Sequence, residues 1–239
     1  MSTSRSLKPP RLRRFSDSVW DAAAMPDTAP TKGQEDRRPF DAVLCDLDGV
    51  LRVWDADEIA ALETEYDLLP GTIAAVAFDP ERLLPAVLGT IEDEDWRTSV
   101  AAAFVPAQGI EAAADLVSKW SASIGRVDPA VLALVDATRR AGVPVLIATN
   151  ATTRLESDLA ALGLDSAVDG IVSSARIRAV KPNPDFYLAA ASRAGVRPER
   201  CLFIDDTRAN VEGAIAAGMQ AVHYSGVESL RAALSPVLA

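Results

Sequence analysis

Asp46 and Asp48 stand two residues apart in Asp46-Leu47-Asp48-Gly49-Val50, just after the apolar run Phe40-Asp41-Ala42-Val43-Leu44-Cys45. Along an extended strand, alternate side chains point the same way, so the pair can face one site. Gly49 lets the backbone turn sharply just beyond them. Two adjacent carboxylates repel each other and resist desolvation. They call for a metal ion, a shared proton, or both.

Three later segments also end an apolar run in polar groups. Val143-Pro144-Val145-Leu146-Ile147-Ala148 leads into Thr149-Asn150. Ala179-Val180 leads into Lys181-Pro182-Asn183-Pro184. Cys201-Leu202-Phe203-Ile204 leads into Asp205-Asp206-Thr207. In an open parallel sheet, ligands collect at the carboxyl ends of strands. Asp46, Asp48, Asp205 and Asp206 suit a hard cation such as Mg2+. Thr149, Asn150 and Lys181 suit an anion. A cation beside an anion points to a phosphoryl group bridged to Mg2+.

These four segments, in this order, resemble the motifs of the haloacid dehalogenase-like (HAD) hydrolase superfamily. The resemblance runs from Phe40 to the C-terminus. It implies that Asp46 is the nucleophile that carries an aspartyl-phosphate. Asp48 is then the general acid and base. Thr149, Asn150, Lys181 and Gly49 surround the phosphate, with Lys181 also offsetting nucleophile charge. Asp206 binds Mg2+ directly, and Asp205 directly or through water. The Asp46 carboxylate and the Asp48 carbonyl complete the protein ligands. One departure stands out: many family phosphatases carry a further acid four residues beyond the metal-binding aspartate, where this chain has Asn210. An amide can orient a ligand or bond Lys181 but adds no charge, so Mg2+ binding is expected to survive in weaker form.

Each residue also has a plainer use. Asp46 and Asp48 could form a strand-end turn. Thr149 and Asn150 cap helices well, and one is expected to start near Thr153. Lys181 could be a solvated loop lysine, and Asp205-Asp206-Thr207 a cap for the following helix. The joint set, rather than any one member, favours chemistry.

Strand-like runs at 41–46, 143–148, 168–172, 201–204 and 219–223 alternate with helical patterns at 129–141, 153–161, 184–194, 207–217 and 227–234. Such alternation gives an α/β fold: a Rossmann-like parallel sheet with helices on both faces. One hundred residues separate Asp48 from Thr149, too many for one crossover. Helices are expected near 56–66, 80–88, 92–104 and 109–120. Residues 55–125 therefore resemble the small all-helical cap inserted between the first two motifs. It is most similar to the phosphatase-type members related to the N-terminal domain of soluble epoxide hydrolase. The core comprises 40–54 and 126–239, with hinges near 52–55 and 125–129. A mobile cap would exclude water and select substrate. Trp54 and the stretch Asp93-Glu94-Asp95-Trp96-Arg97 are candidates to face the cleft.

The 239 residues carry 24 basic and 34 acidic side chains, a net charge of −10. Eight basic and five acidic residues lie in the first 40, leaving 16 and 29 for the rest. An acidic body argues against nucleic acid as a partner. No apolar run is long enough to span a membrane. Residues 1–39 read as a disordered tail, with a basic stretch at Arg5–Arg14 and an alternative start at Met25. Cys45 and Cys201 read as small buried hydrophobes, which suits a reducing cytoplasm. A single histidine, His223, reads as a strand residue. With it alone, a zinc site or Ser-His-Asp triad is disfavoured.

The expected activity is Mg2+-dependent hydrolysis of a small phosphorylated metabolite by a monomer or homodimer. A phosphosugar mutase uses the same motifs and remains an alternative, as does a non-catalytic regulatory or binding member. Haloacid dehalogenases resemble the chain in fold but lack the second aspartate. A receiver-type signalling domain also uses acids, Thr and Lys, but has no place for the 100-residue gap.

Overall fold

The computed structural model describes residues 38–238. The predicted tail at 1–39, with Arg5–Arg14 and Met25, lies outside them except for Arg38 and Pro39. Those two residues dock on the core: Arg38 Nη2 donates to Ala141 O at 2.7 Å, and Pro39 O accepts from Gln220.

The central sheet comprises β1 (Ala42–Cys45), β4 (Val145–Thr149), β5 (Gly170–Ser173), β6 (Cys201–Asp205) and β7 (Gln220–His223). They lie parallel in the order β5-β4-β1-β6-β7. Strand alternation assigns each side chain to one of two cores. Val43, Cys45, Val145, Ile147, Leu202 and Ile204 face one side. They pack on α6 (Pro129–Arg140), α7 (Leu155–Ala161) and α11 (Val227–Leu238). Leu44, Leu146, Ala148, Cys201 and Phe203 face the other, against α9 (Pro184–Ala194) and α10 (Arg208–Ala216). The sheet is thus buried on both faces, which is why its strands read as nearly continuous apolar runs. Cys45 and Cys201 are buried and free, one in each core.

Between β1 and β4 the chain leaves the sheet. β2 (Arg52–Val53) and β3 (Arg126–Val127) form a two-stranded antiparallel ribbon, pairing the two segments marked as hinges from the sequence. Between them lie α1 (Ala56–Glu65), α2 (Thr72–Ala77), α3 (Pro80–Val87), α4 (Asp93–Gln108) and α5 (Ile110–Ala122). They enclose a third core around Ile73, Ala77, Trp96, Val100, Phe104 and Leu116. Local signals start these helices. Asp55 accepts from Asp57 N, and Asp79 accepts from Glu81 N ahead of Pro80.

The six-residue α2 has no counterpart in the sequence reading. Its N-terminus is satisfied at a distance by the buried Glu63 carboxylate, which accepts from Gly71 N and Ile73 N, each at 2.8 Å. A cap supplied by another helix leaves no local trace. Helix α4 extends to Gln108, past Pro106, because its apolar face packs on α5.

The cap touches the core loops after β4 and β5. Thr152 Oγ1 donates to Asp93 Oδ1 at 2.6 Å, and Asp93 N donates to Thr153 Oγ1 at 3.0 Å. Ser174, which opens the short helix α8 (Ser174–Ile177), donates its Oγ to Val87 O at 2.6 Å, and Arg154 Nη1 donates to Ser121 O at 2.9 Å. Asp93 therefore docks the cap on the core, while Trp96 is part of the cap's own core. Neither lines the cavity between the strand ends.

Phe203 is fully buried and stacks edge-on to Tyr187 with centroids 5.3 Å apart. Phe203→Ala is expected to cost about 3–5 kcal/mol, read as a fall in the urea midpoint with an unchanged slope.

Candidate active site

Adjacency of β4, β1 and β6 brings their C-terminal ends together. The next residue after β1 is Asp46, whose N–H donates to Ile204 O at 2.8 Å and so keeps step with β6. Thr149 closes β4 and Asp205 closes β6. Asp46, Asp48, Gly49, Thr149, Asn150, Lys181, Asp206, Thr207 and Asn210 line one cavity of about 360 Å³. Seven of the eight residues singled out from the sequence thus converge there. The eighth, Asp205, lies directly beneath, fully buried.

Lys181 ties these ends together. Its Nζ lies 2.8 Å from Asp46 Oδ1 and 2.7 Å from Asp205 Oδ2, and donates to Ala148 O at 3.1 Å. Its three N–H groups are all engaged. Asn150 fixes the lysine backbone from both sides: Lys181 N donates to Asn150 Oδ1, and Asn150 Nδ2 donates to Lys181 O. Burial alone would push the ammonium's pKa down. Asp46 and Asp205 outweigh that and raise it, so the lysine stays charged. Burial is also the largest influence on Asp46 and raises its pKa; Lys181 pulls it down and Asp205 pushes it up.

Asp205 is engaged on every side. Oδ2 faces Lys181, Thr207 N donates to Oδ1 at 2.8 Å, and Asn210 Nδ2 donates to Oδ1 at 3.0 Å and Oδ2 at 3.1 Å. The Asn210 amide therefore orients Asp205 rather than bonding Lys181. Asp206 is exposed, and its carboxylate packs against Gly49, where there is no side chain. A Cβ at Gly49, where φ is +78°, would stand 2.0 Å from Asp206 Oδ2. Carboxylate oxygens of Asp46, Asp205 and Asp206 lie within 4.8 Å of one another. A hard-oxygen set of this kind fits Mg2+. Because Asp205 already accepts four bonds, Asp46 and Asp206 are the members with oxygens to offer.

A family model for the haloacid dehalogenase-like hydrolases matches residues 40–218. The chain belongs to that family. Among curated relatives, the HAD-like chain is 36% identical over 80 residues to the fructose-1-phosphate phosphatase YqaB of Escherichia coli. That match covers 33% of this chain and 43% of the relative. It is 40% identical over 89 residues to the phosphatase MT3486 of Mycobacterium tuberculosis, covering 36% and 41%. The chain spans less than half the length of the curated relatives it matches. An L-2-haloacid dehalogenase from Xanthobacter autotrophicus shares the fold, with a TM-score of 0.59 and 23% identity over 84% of each chain.

Several simpler uses of the HAD motif residues do not occur. Helix α7 begins at Leu155 with Arg154 at its N-cap, so neither Thr149 nor Asn150 caps it. Lys181 is buried rather than solvated. His223 lies in β7, and its Nε2 is 2.8 Å from Asp206 O. The sequence reading passed over Arg52, which chelates Asp48 through Nε at 2.7 Å and Nη2 at 2.9 Å. Its only sequence signal is a basic residue four places beyond the acid.

Replacing Lys181 with Met leaves two buried carboxylates without their counter-ion. In chelator-containing buffer near neutral pH this is expected to cost about 3–5 kcal/mol. Asp46 already sits above the usual carboxylate range, and losing the ammonium lifts it further. A raised acid favours folding as pH falls, so the deficit should shrink on acidification through that raised value. Urea midpoints of the two proteins across pH check both the size and the sign.

Proposed function

We propose that this chain is a Mg2+-dependent phosphatase that hydrolyses a small phosphomonoester through an aspartyl-phosphate on Asp46. The single observation that carries the reading is the shared cavity. It brings Asp46, Asp48, Thr149, Lys181 and Asp206 together in about 360 Å³, the scale of a small-molecule site. The phosphatase names of the relatives support it. The presence of Asp48 supports hydrolysis of an ester over dehalogenation.

In the first step the Asp46 carboxylate attacks phosphorus. A bond from its oxygen to phosphorus forms as the ester P–O bond breaks, and Asp48 gives its proton to the departing oxygen. In the second step Asp48 takes a proton from water as that water attacks phosphorus. Inorganic phosphate leaves and the Asp46 carboxylate is restored. Splitting hydrolysis in two eases each half. Phosphoryl transfer needs little covalent push and depends on in-line placement and charge neutralisation. As Asp46 becomes phosphorylated, its carboxyl group loses its own charge and holds Lys181 less firmly. One ammonium N–H is then released toward the phosphoryl oxygens, beside the Thr149 hydroxyl. Asn150 keeps the lysine in place, and Gly49 admits the phosphate close to the backbone. Asp46, Asp206 and the Asp48 carbonyl would hold Mg2+, with Asp205 reaching it through water, and the ion would supply positive charge to the phosphoryl oxygens.

With p-nitrophenyl phosphate and a panel of phosphorylated metabolites, Mg2+ should give turnover and excess EDTA should abolish it. Asp46→Asn should lose on the order of 10³-fold or more in kcat. Stoichiometric inorganic phosphate should appear, whereas a mutase would rearrange its substrate without releasing it. Retained activity in Asp46→Asn would remove the nucleophile assignment.

A further inference from the structure

Three donors from one short segment hold the Asp48 carboxylate. Arg52 Nε donates to Oδ1 at 2.7 Å and Arg52 Nη2 donates to Oδ2 at 2.9 Å. Trp54 Nε1 donates to Oδ1 at 2.7 Å. Among the described residues, Oδ1 thus accepts two bonds and Oδ2 one. A carboxylate oxygen offers two lone pairs, so these bonds leave one lone pair, on Oδ2.

Arg52 is itself fixed. It is 5% exposed. The loop 47–52 closes on itself, with Arg52 N donating to Leu47 O at 2.7 Å and Gly49 N donating to Arg52 O at 2.9 Å. The Trp54 ring lies 4.8 Å from the guanidinium carbon. Gly125, beside β3, gives the arginine stem its room, since a Cβ there would stand 3.0 Å from Arg52 Cγ. Arg52 Nη1 meets Asp158 Oδ2 at 3.3 Å, Arg154 Nε meets Asp158 Oδ1 at 2.8 Å, and Arg154 reaches Ser121 O in the cap. The fork on Asp48 is therefore braced from the core and from the cap.

We propose that Arg52, with Trp54, is the positioning residue for Asp48, and that it aims Oδ2 at the ester oxygen that leaves. This inference rests on the phosphatase reading above. A bidentate guanidinium sets the plane of the carboxylate as well as its place. The proton on Oδ2 passes to the leaving oxygen as the P–O bond breaks, and Oδ2 recovers one from the attacking water. Misplacement by about 1 Å suffices to lose about 10²-fold.

The test uses two leaving groups. A nitrophenolate departs without a proton, whereas a primary alkoxide needs one. We compare kcat/KM on p-nitrophenyl phosphate and on a primary alkyl phosphate for the wild-type protein, Arg52→Lys and Trp54→Phe. Arg52→Lys keeps the charge but loses the fork. Trp54→Phe keeps a ring but loses the N–H. The expected result is a loss at least about tenfold larger on the alkyl ester for Arg52→Lys. Trp54→Phe should lose several-fold in the same sense. Equal losses on both esters, or none, would overturn the proposal while leaving the phosphatase standing. Should Arg52→Lys fail to fold by circular dichroism, Trp54→Phe decides alone. A wild-type protein that hydrolyses neither ester would strike the phosphatase reading itself, and this inference with it.

Discussion

One buried ammonium between two buried carboxylates holds the site together. Lys181 reaches Asp46 after β1, Asp205 at the end of β6 and the Ala148 carbonyl in β4. Taking such charges out of water is costly, and only their mutual attraction and a full set of hydrogen bonds offset the cost. The site meets that demand with Asn150 on the lysine backbone, and with Asn210 and Thr207 N on Asp205. It works only if β4, β1 and β6 are neighbours, as the strand order makes them. The two apolar cores bury the sheet on both faces and fix where its strands end. The geometry of the candidate site thus derives from ordinary sheet packing.

A second layer of control enters through Asp48. Its carboxylate is held by side chains that begin the ribbon leading to the cap, not by the sheet. The two acids therefore answer to different parts of the molecule. Asp46 is set by strands and Lys181. Asp48 is set by Arg52 and Trp54, in a chain that continues through Asp158 and Arg154 to Ser121. The cap also returns to the loop after β4 through Asp93 and Thr152.

The parallel sheet was legible because both of its faces are buried, so each strand reads as a short apolar block. The strand-end acids and Lys181 were legible because their types recur in a family order. The family match over residues 40–218 shows the family itself. Other features depend on distant partners and leave no local pattern. Helix α2 is capped by Glu63 from a different helix. Asn210 looked like a lost charge, yet its amide donates to both oxygens of Asp205. Arg52 sits inside an apolar-looking turn, and its role follows from how the loop 47–52 folds back. Asp93 and Trp96 share one helix turn, yet one docks the cap and the other fills it. Spacing alone does not separate those fates.

The most direct test of a pocket that pairs a divalent ion with a PO3 group on Asp46 is fluorine NMR with Mg2+ and beryllofluoride, a mimic of an acyl phosphate. The wild-type protein should give bound fluorine resonances that vanish on adding EDTA and are absent from Asp46→Asn. The absence of any bound signal, or its persistence in Asp46→Asn, would contradict the account.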